Sequence, residues 1–215
     1  MPEPDPDAAD TSAGPVVPAD VLGLASWRNA VAELYAAVRG EPDPSRGHQL
    51  WRRGRDKLFL RHPQSPLAAD NALRGSGLQY FPYDPGLRFE VPLRPPPKAE
   101  ALQLHTSDGR LQLDLVGRLT ITELDIGLDV WWLAQYGGGL FVPLRDGTAG
   151  IETFGGGRYL LDTVKGADLG AHDGRLIVDL NFLYHPSCRY DSTWSCPLAP
   201  AGNTTRVPIR AGERM

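Results

Sequence analysis

Two hydrophobic periods divide the chain. Val21, Leu24, Trp27, Val31, Leu34, Tyr35 and Val38 recur every three or four residues, which makes one apolar helix face. The pattern predicts a helix from Asp20, a good N-cap, to Arg39, with Gly40 as its stop and its apolar face packed on a sheet. EPDPSRG (41–47) reads as a turn, and a second helix is expected over about 46–60 with Ser45 as its cap. Its apolar members Leu50, Trp51, Leu58 and Phe59 alternate with Arg52, Arg53, Arg55 and Lys57. Such a run reads first as a solvated helix face and second as an anion-binding one. HPQSPL (62–67) ends the helix, because Pro63 and Pro66 remove donors and fix φ. His62, at that break, is a candidate base or ligand beside its plainer reading as a loop histidine.

From Glu100 onward the period is two. Leu102, Leu104, Leu111, Leu113, Leu115, Leu119 and Ile121 alternate with polar residues around an Asp108-Gly109 turn, a hairpin signature. GLDVWWLAQY continues the pattern, and Trp131 and Trp132 should face opposite ways, so that one of them is deeply buried. GLFVPL, GRYLLDTV, RLIVDLNFLY and TRVPIR supply further short strands. Before them, YFPYDPGLRFEVPL (80–93) is an extended, proline-restrained crossing segment. Helices first and strands after is an α+β order, mostly β. The expected architecture is an antiparallel β-barrel or sandwich with two N-terminal helices packed on it. Residues 1–18 read as a disordered leader and 19–215 as a single domain, helical over 19–75 and β-rich over 80–215.

Composition narrows the function classes. A net charge of −4 and the absence of a basic patch leave no electrostatic footprint for nucleic acid. No run of about 18 apolar residues is present, so no membrane partner is expected. The N-terminus lacks the basic and apolar regions of a signal peptide, which points to a cytoplasmic location. With only two cysteines, Cys188 and Cys196, the chain is no disulfide scaffold. They would be free thiols, a close pair or metal ligands.

Candidate chemistry centres on Tyr136–Tyr159, which carries the glycine triplets Gly137–Gly139 and Gly155–Gly157. Neither triplet is followed by Lys-Ser/Thr, and both precede strand-like runs, so neither a Walker loop nor a dinucleotide fingerprint fits. Bulges or close backbone approach account for them better, to a ligand or to the chain itself. Arg145-Asp146 and Arg158-Tyr159 are the polar groups best placed in this stretch. An arginine fork suits a carboxylate or phosphate, and an Arg–Asp pair that pins a turn is the plainer alternative. His185, Cys188 and Cys196 form H-x2-C-x7-C, a set that could hold zinc, although a fourth ligand is missing and the spacing matches no zinc deaminase. Cys188 beside His185 could also be a thiolate pair, and no GxSxG elbow is present.

YFPYDP (80–85), GGGLFVPLRDGTAG (137–150), TFGGGRYL (153–160), LNFLYHPSCRYD and WSCPLAP (180–199) and PIRAGER (208–214) resemble the bacterial family called domain of unknown function 1684. HPQSPL (62–67) resembles its upstream element. The resemblance spans roughly 60–214 and marks His62, Arg145, Asp146, Thr148, Arg158, Tyr159, Asn181, Tyr184, Cys188, Cys196, Asn203 and Glu213. It implies no settled reaction, cofactor or partner. Relatives often look like NPxC where His185 stands, which weakens a general histidine ligand. The family's β-rich layout is also similar to flavin-binding split barrels, and no residue here reads flavin.

The resulting expectation is a small-molecule pocket for an anionic or carboxylate-bearing ligand. Arg145, Asp146, Tyr159 and His62 are the candidate catalytic groups, and Arg158, Asn181, Tyr184, Tyr80 and Tyr83 the candidate ligand-binding ones. The alternatives are a zinc enzyme using His185, Cys188 and Cys196, and a structural or interaction module. No cofactor is expected, flavin and zinc being left open. A homodimer is compatible with the chain and undecided by it.

Overall fold

The computed structural model of the chain describes residues 18–106, 109–134 and 136–215. The leader expected over 1–18, but for its last residue, and Asp108 of the expected turn lie outside the described residues. Among the described residues three helices come early: α1 (Pro18–Gly40), α2 (Pro44–Arg61) and the single turn α3 (Leu73–Ser76). Ten strands follow: β1 (Gln79–Tyr80), β2 (Arg88–Pro92), β3 (Ala101–Thr106), β4 (Gly109–Ile121), β5 (Ile126–Leu133), β6 (Gly139–Leu144), β7 (Arg158–Asp162), β8 (Ala171–His172), β9 (Arg175–Asp179) and β10 (Glu213–Arg214). The fold is α+β and mostly β, as the two periods predict.

Pro44 stands at the start of α2, where its missing N–H costs nothing. The cap is therefore Asp43, not Ser45: the Asp43 carboxylate accepts from the N–H groups of Ser45 (2.9 Å) and Arg46 (3.2 Å). The buried face of α2 is Gly47, His48, Trp51, Arg55 and Phe59, a three-and-four spacing that includes one cation. Arg53 and Lys57 are exposed, as expected of a solvated face. Arg55 is not.

Strands β3 to β7 form a five-stranded antiparallel meander in chain order. β2, β9 and β8 form a three-stranded antiparallel sheet, and β1 pairs with β10. The outer strands β3 and β7 do not pair with each other, so the meander stays open and no closed barrel forms among the described residues. TRVPIR (205–210) is also no ladder strand. It runs beside the end of β6 through isolated bonds, Thr205 N–H to Arg145 O (2.9 Å) and Gly147 N–H to Val207 O (3.0 Å). Pro208 donates nothing there.

Two apolar clusters make up the core. Tyr35, Val38, Trp51 and Phe59 from the helices pack with Leu113, Trp131, Phe141, Tyr159, Phe182 and Tyr184. Leu119, Ile121, Leu128, Val130, Val142, Leu144, Leu160, Val178, Leu180, Leu183 and Ile209 form the other. β4 supplies both, with Leu113 and Leu115 in the first and Leu119 and Ile121 in the second. Trp131 is 1% exposed and Trp132 41%, so one tryptophan of the pair is buried, as alternation requires.

Candidate functional site

The glycine-rich centre is built for backbone contact with the chain itself. Gly157 has φ +90°, and a Cβ there would stand 2.7 Å from the Leu144 carbonyl oxygen. A Cβ on Gly147 would stand 2.3 Å from Arg206 O. These close approaches bring β6, β7 and the C-terminal segment together around Arg158. That guanidinium is 1% exposed. It donates to Asp146, to Ala211 O, to Ile209 O (2.8 Å) and to Glu213 O (3.1 Å). Asp146 in turn accepts from the N–H (2.6 Å) and the hydroxyl (2.5 Å) of Thr148. The pair is a clasp that fixes residues 209–213 against the meander. Arg145 is exposed and spends its Nε on Gly155 O (3.0 Å).

Glu213, positioned by that clasp, collects a second set of donors. Its Oε2 accepts from Arg55 (2.8 Å) and from the His185 N–H (2.8 Å), and its Oε1 from the Tyr190 hydroxyl. Burial alone would push its carboxyl up, yet Arg55 and the other donors hold it below the ordinary carboxylate range. The His185 ring takes the Phe154 N–H on Nε2 (3.1 Å) and turns Nδ1 towards Glu213 Oε1 (3.9 Å). Burial brings this histidine down to about 4 against the pull of Glu213, so the ring is neutral at neutral pH.

Beside this network a cleft opens between α1 and the loop after β9. Its outer part, about 270 Å³, is lined by Trp27, Arg28, Gln64, Tyr159, Lys165, Ser187, Trp194, Ser195 and Cys196, among others. An inner chamber of about 70 Å³ shares Trp27, Tyr159, Lys165, Ser187 and Cys196 with it and reaches Tyr35, Arg55, Phe59, Tyr184 and His185. Tyr159 forms the common wall, with its ring edge-on to Phe141 and Tyr184 and its hydroxyl donated to Pro197 O (2.7 Å). Burial, with Cys196, Asp162 and Cys188 close by, raises that phenol well above its usual value. Arg28 at the mouth is exposed, and Lys165 pairs with Asp162 (2.9 Å).

Residues 75–214, which carry the clasp, Glu213 and the inner wall of the cleft, match the family described as a protein of unknown function, DUF1684. The chain belongs to this family. A solved structure similar to it is the solution NMR structure of an uncharacterized protein from gene locus rrnAC0354 of Haloarcula marismortui. The two are 32% identical with a TM-score of 0.57, over 78% of this chain and 91% of that one. No curated protein matches the chain. Helix α1, which lines the outer cleft, and α2, whose Arg55 and Phe59 reach the inner chamber, precede the family match.

Of the residues singled out in the sequence, Tyr159 and Cys196 line both the cleft and its chamber, and Tyr184 and His185 line the chamber. The others lie elsewhere. Asn181 is fully buried and ties the Asp84 N–H and carbonyl (2.9 and 2.8 Å) to Asp179. Tyr80 packs on Trp51 beneath Arg52, and Tyr83 stacks near His48 beside a shallow groove with Asp43, Pro44 and Ser45. His62 ends α2, where it meets Ser26 Oγ (3.3 Å) and the Gln64 N–H (3.1 Å) and borders a separate groove with Arg61 and Pro63. Asp146 and Arg158 hold each other in the clasp. Cys188 and Cys196 are half-buried free thiols. Among the described residues no three His, Cys, Asp or Glu side chains are grouped as a metal ion needs. Both His185 ring nitrogens face protein groups. The sequence reading missed Trp27, Arg28 and Lys165 as cleft residues and Arg55 as Glu213's counter-ion. A lone arginine on the apolar stripe of α2 was the available signal for Arg55.

Proposed function

We propose that the cleft binds a small amphipathic carboxylate, its anionic head at Arg28 and Lys165 and its apolar or aromatic body against Trp27, Tyr159 and Trp194. The observation that carries this reading is the pairing of two cations at the rim with an aromatic-lined interior that narrows towards Phe59 and Tyr184. Ligand sites combine an apolar body with few orienting polar groups, as here. Gln64, Ser187 and Ser195 supply neutral donors along the rim. The cations differ from those expected. Arg158 is consumed by four internal acceptors and Arg145, exposed with its Nε on Gly155 O, does not line the cleft, whereas Arg28 stands at its mouth. Among the described residues, no helix is long and apolar enough to cross a membrane, so this reading needs no bilayer.

The test is a thermal-shift and calorimetric screen of aryl- and alkylcarboxylates beside their neutral amides. Saturable binding of a carboxylate, absent for its amide and weakened at least tenfold by Arg28→Ala with Lys165→Ala, is expected. Arg28 is exposed, so Arg28→Ala should keep its melting temperature and must weaken binding by itself, whereas Lys165→Ala strips the buried Asp162 carboxylate of its cation and should lower the melting temperature. Equal binding of amide and acid, or no binding across the panel, would sink the proposal.

A further inference from the structure

We propose that the inner chamber receives a neutral carbonyl oxygen from the far end of the cleft's ligand, held by Arg55 and Tyr184. The ligand is then an oxo-carboxylate, with its carboxylate at the rim and a ketone, ester or amide carbonyl at the other end. This rests on the carboxylate reading of the cleft and adds the chemistry of its inner end. Three side chains that line the chamber carry donors without a protein acceptor. Arg55 gives one Nη to Glu213 (2.8 Å), while its Nε is buried without a partner and its second Nη meets no acceptor among the described residues. The Tyr184 main chain is engaged by Tyr159 through both its N–H (3.0 Å) and its carbonyl (2.8 Å), and its hydroxyl makes no hydrogen bond among the described residues. The Tyr35 oxygen accepts the Trp51 Nε1–H (3.0 Å), and its own proton goes to no acceptor among them. Burial raises both phenols above their usual value, so each keeps its proton and can donate.

The other polar groups at this wall do not take up those donors. His185 Nε2 already accepts from the Phe154 N–H and its Nδ1 faces Glu213, and the Tyr159 hydroxyl is donated to Pro197 O. An atom that only accepts therefore suits the chamber, and a hydroxyl of the ligand would add one more donor. Charge selects further. Arg55 is matched by Glu213 and Lys165 by Asp162 (2.9 Å), so a second carboxylate would bring a buried negative charge with no free counter-ion. A carbonyl brings two lone pairs and no charge. The guanidinium is held over the rings of Trp51, Phe59 and Tyr184 (5.4, 4.9 and 4.9 Å to their centroids), which fixes the donor before a ligand arrives. At about 70 Å³ the chamber has room for a group of a few heavy atoms, such as an acetyl, and none for a second ring.

Calorimetric titration of the full-length chain with matched pairs tests this: the para-acetyl and para-isopropyl derivatives of benzoate, phenylacetate and phenylpropionate. Within a pair the carboxylate, length and shape agree, and the carbonyl oxygen is the difference. In the best-fitting pair the ketone should bind about tenfold tighter than its isopropyl twin. Tyr184→Phe removes a hydroxyl that bonds to nothing in the protein, so it should keep the melting temperature while it narrows the ketone's advantage to about threefold or less. The infrared carbonyl stretch of the bound ketone should move to lower frequency, and part of that shift should be lost in the variant. Isopropyl compounds that bind as tightly as their ketones in every pair would overturn this inference and leave the carboxylate reading of the cleft standing. Absence of binding by both members of every pair would sink the two together. A ketone preference that Tyr184→Phe leaves unchanged would put the carbonyl outside the chamber and overturn the inference as well.

Discussion

Arg55 and Glu213 are 158 residues apart in the chain and 2.8 Å apart in space. The pair joins α2 to β10, and it is buried: the Arg55 side chain is 10% exposed and the Glu213 side chain 1%. Arg55 also lies over the rings of Trp51, Phe59 and Tyr184, so its charge is sandwiched between aromatic faces. Removing one partner leaves the other charge buried without compensation. Arg55→Met should therefore cost about 3–5 kcal/mol, because Glu213 then faces only neutral donors nearby. Arg55→Met with Glu213→Gln should recover part of that loss, since neither member is then a buried charge. Urea unfolding of the two singles and the double measures the coupling. Additive losses would mean that the pair is not energetically linked.

Arg158 gives a sharper test of geometry over charge. Its planar fork meets a carboxylate and three carbonyls at once, which a single ammonium cannot reproduce. Arg158→Lys keeps the charge facing Asp146 and loses most of the carbonyl contacts. A loss on the order of 3 kcal/mol is expected, with residues 209–213 gaining amide exchange ahead of the meander. Uniform exchange across the whole protein would argue against a local clasp.

The glycines of the chain divide by backbone conformation. Gly157→Ala would force an L side chain into φ +90° and onto the Leu144 carbonyl, a cost on the order of 2 kcal/mol. Gly40, the last residue of α1, has open space where a Cβ would stand, with nothing within 4 Å. Gly40→Ala should be neutral or stabilise by up to about 1 kcal/mol. Opposite signs in thermal melts check the pair of predictions.

The periodic parts of the fold were legible because burial writes them directly into the chain. The Val21–Val38 stripe and the Leu113–Ile121 alternation place α1 and β4 within a few residues. Ser45 looks like the cap of α2 only while Pro44 is counted with the turn; as the first helical residue, Pro44 moves the cap to Asp43. The strand expected over TRVPIR fails because Pro208 and the lack of a ladder neighbour leave only isolated bonds. The site was much less legible. Arg145 and Arg158 look identical in sequence, and only the tertiary placement of the Ile209, Ala211 and Glu213 carbonyls makes one a buried clasp and the other an exposed side chain. Trp27 and Arg28 belong to a helix whose period reports packing alone. Their place at a cleft depends on where the loop around Trp194 and Cys196 returns, which no local pattern encodes.

His48, His185 and Asp179 shape the response to pH between about 7 and 4, above the range in which Glu213 takes up its proton. Burial, helped by Arg52, lowers His48 to about 4, and burial lowers His185 to about 4. Each is neutral in the folded protein near neutrality, whereas the unfolded value is 6.5. Their contribution is therefore present above pH 6.5 and is lost as pH falls from there towards 4. Asp179 works in the opposite sense. Burial raises it from 3.8 to about 6 against its bonds from Asn181, so its contribution is present below the unfolded value and lost as pH rises through 6. At pH 7 the buried Asp179 charge costs stability, and Asp179→Asn should stabilise by about 2 kcal/mol. That advantage should shrink between about pH 6 and 4, as the wild-type carboxyl takes up its proton. The variant should consequently lose stability more steeply than the wild type on acidification, because the histidines are then unopposed. Urea titrations of both proteins at pH 7, 5.5 and 4.5 decide it. An Asp179→Asn protein less stable than wild type at pH 7 would mean that Arg88, 3.9 Å from the carboxylate, stabilises the charge more than burial destabilises it.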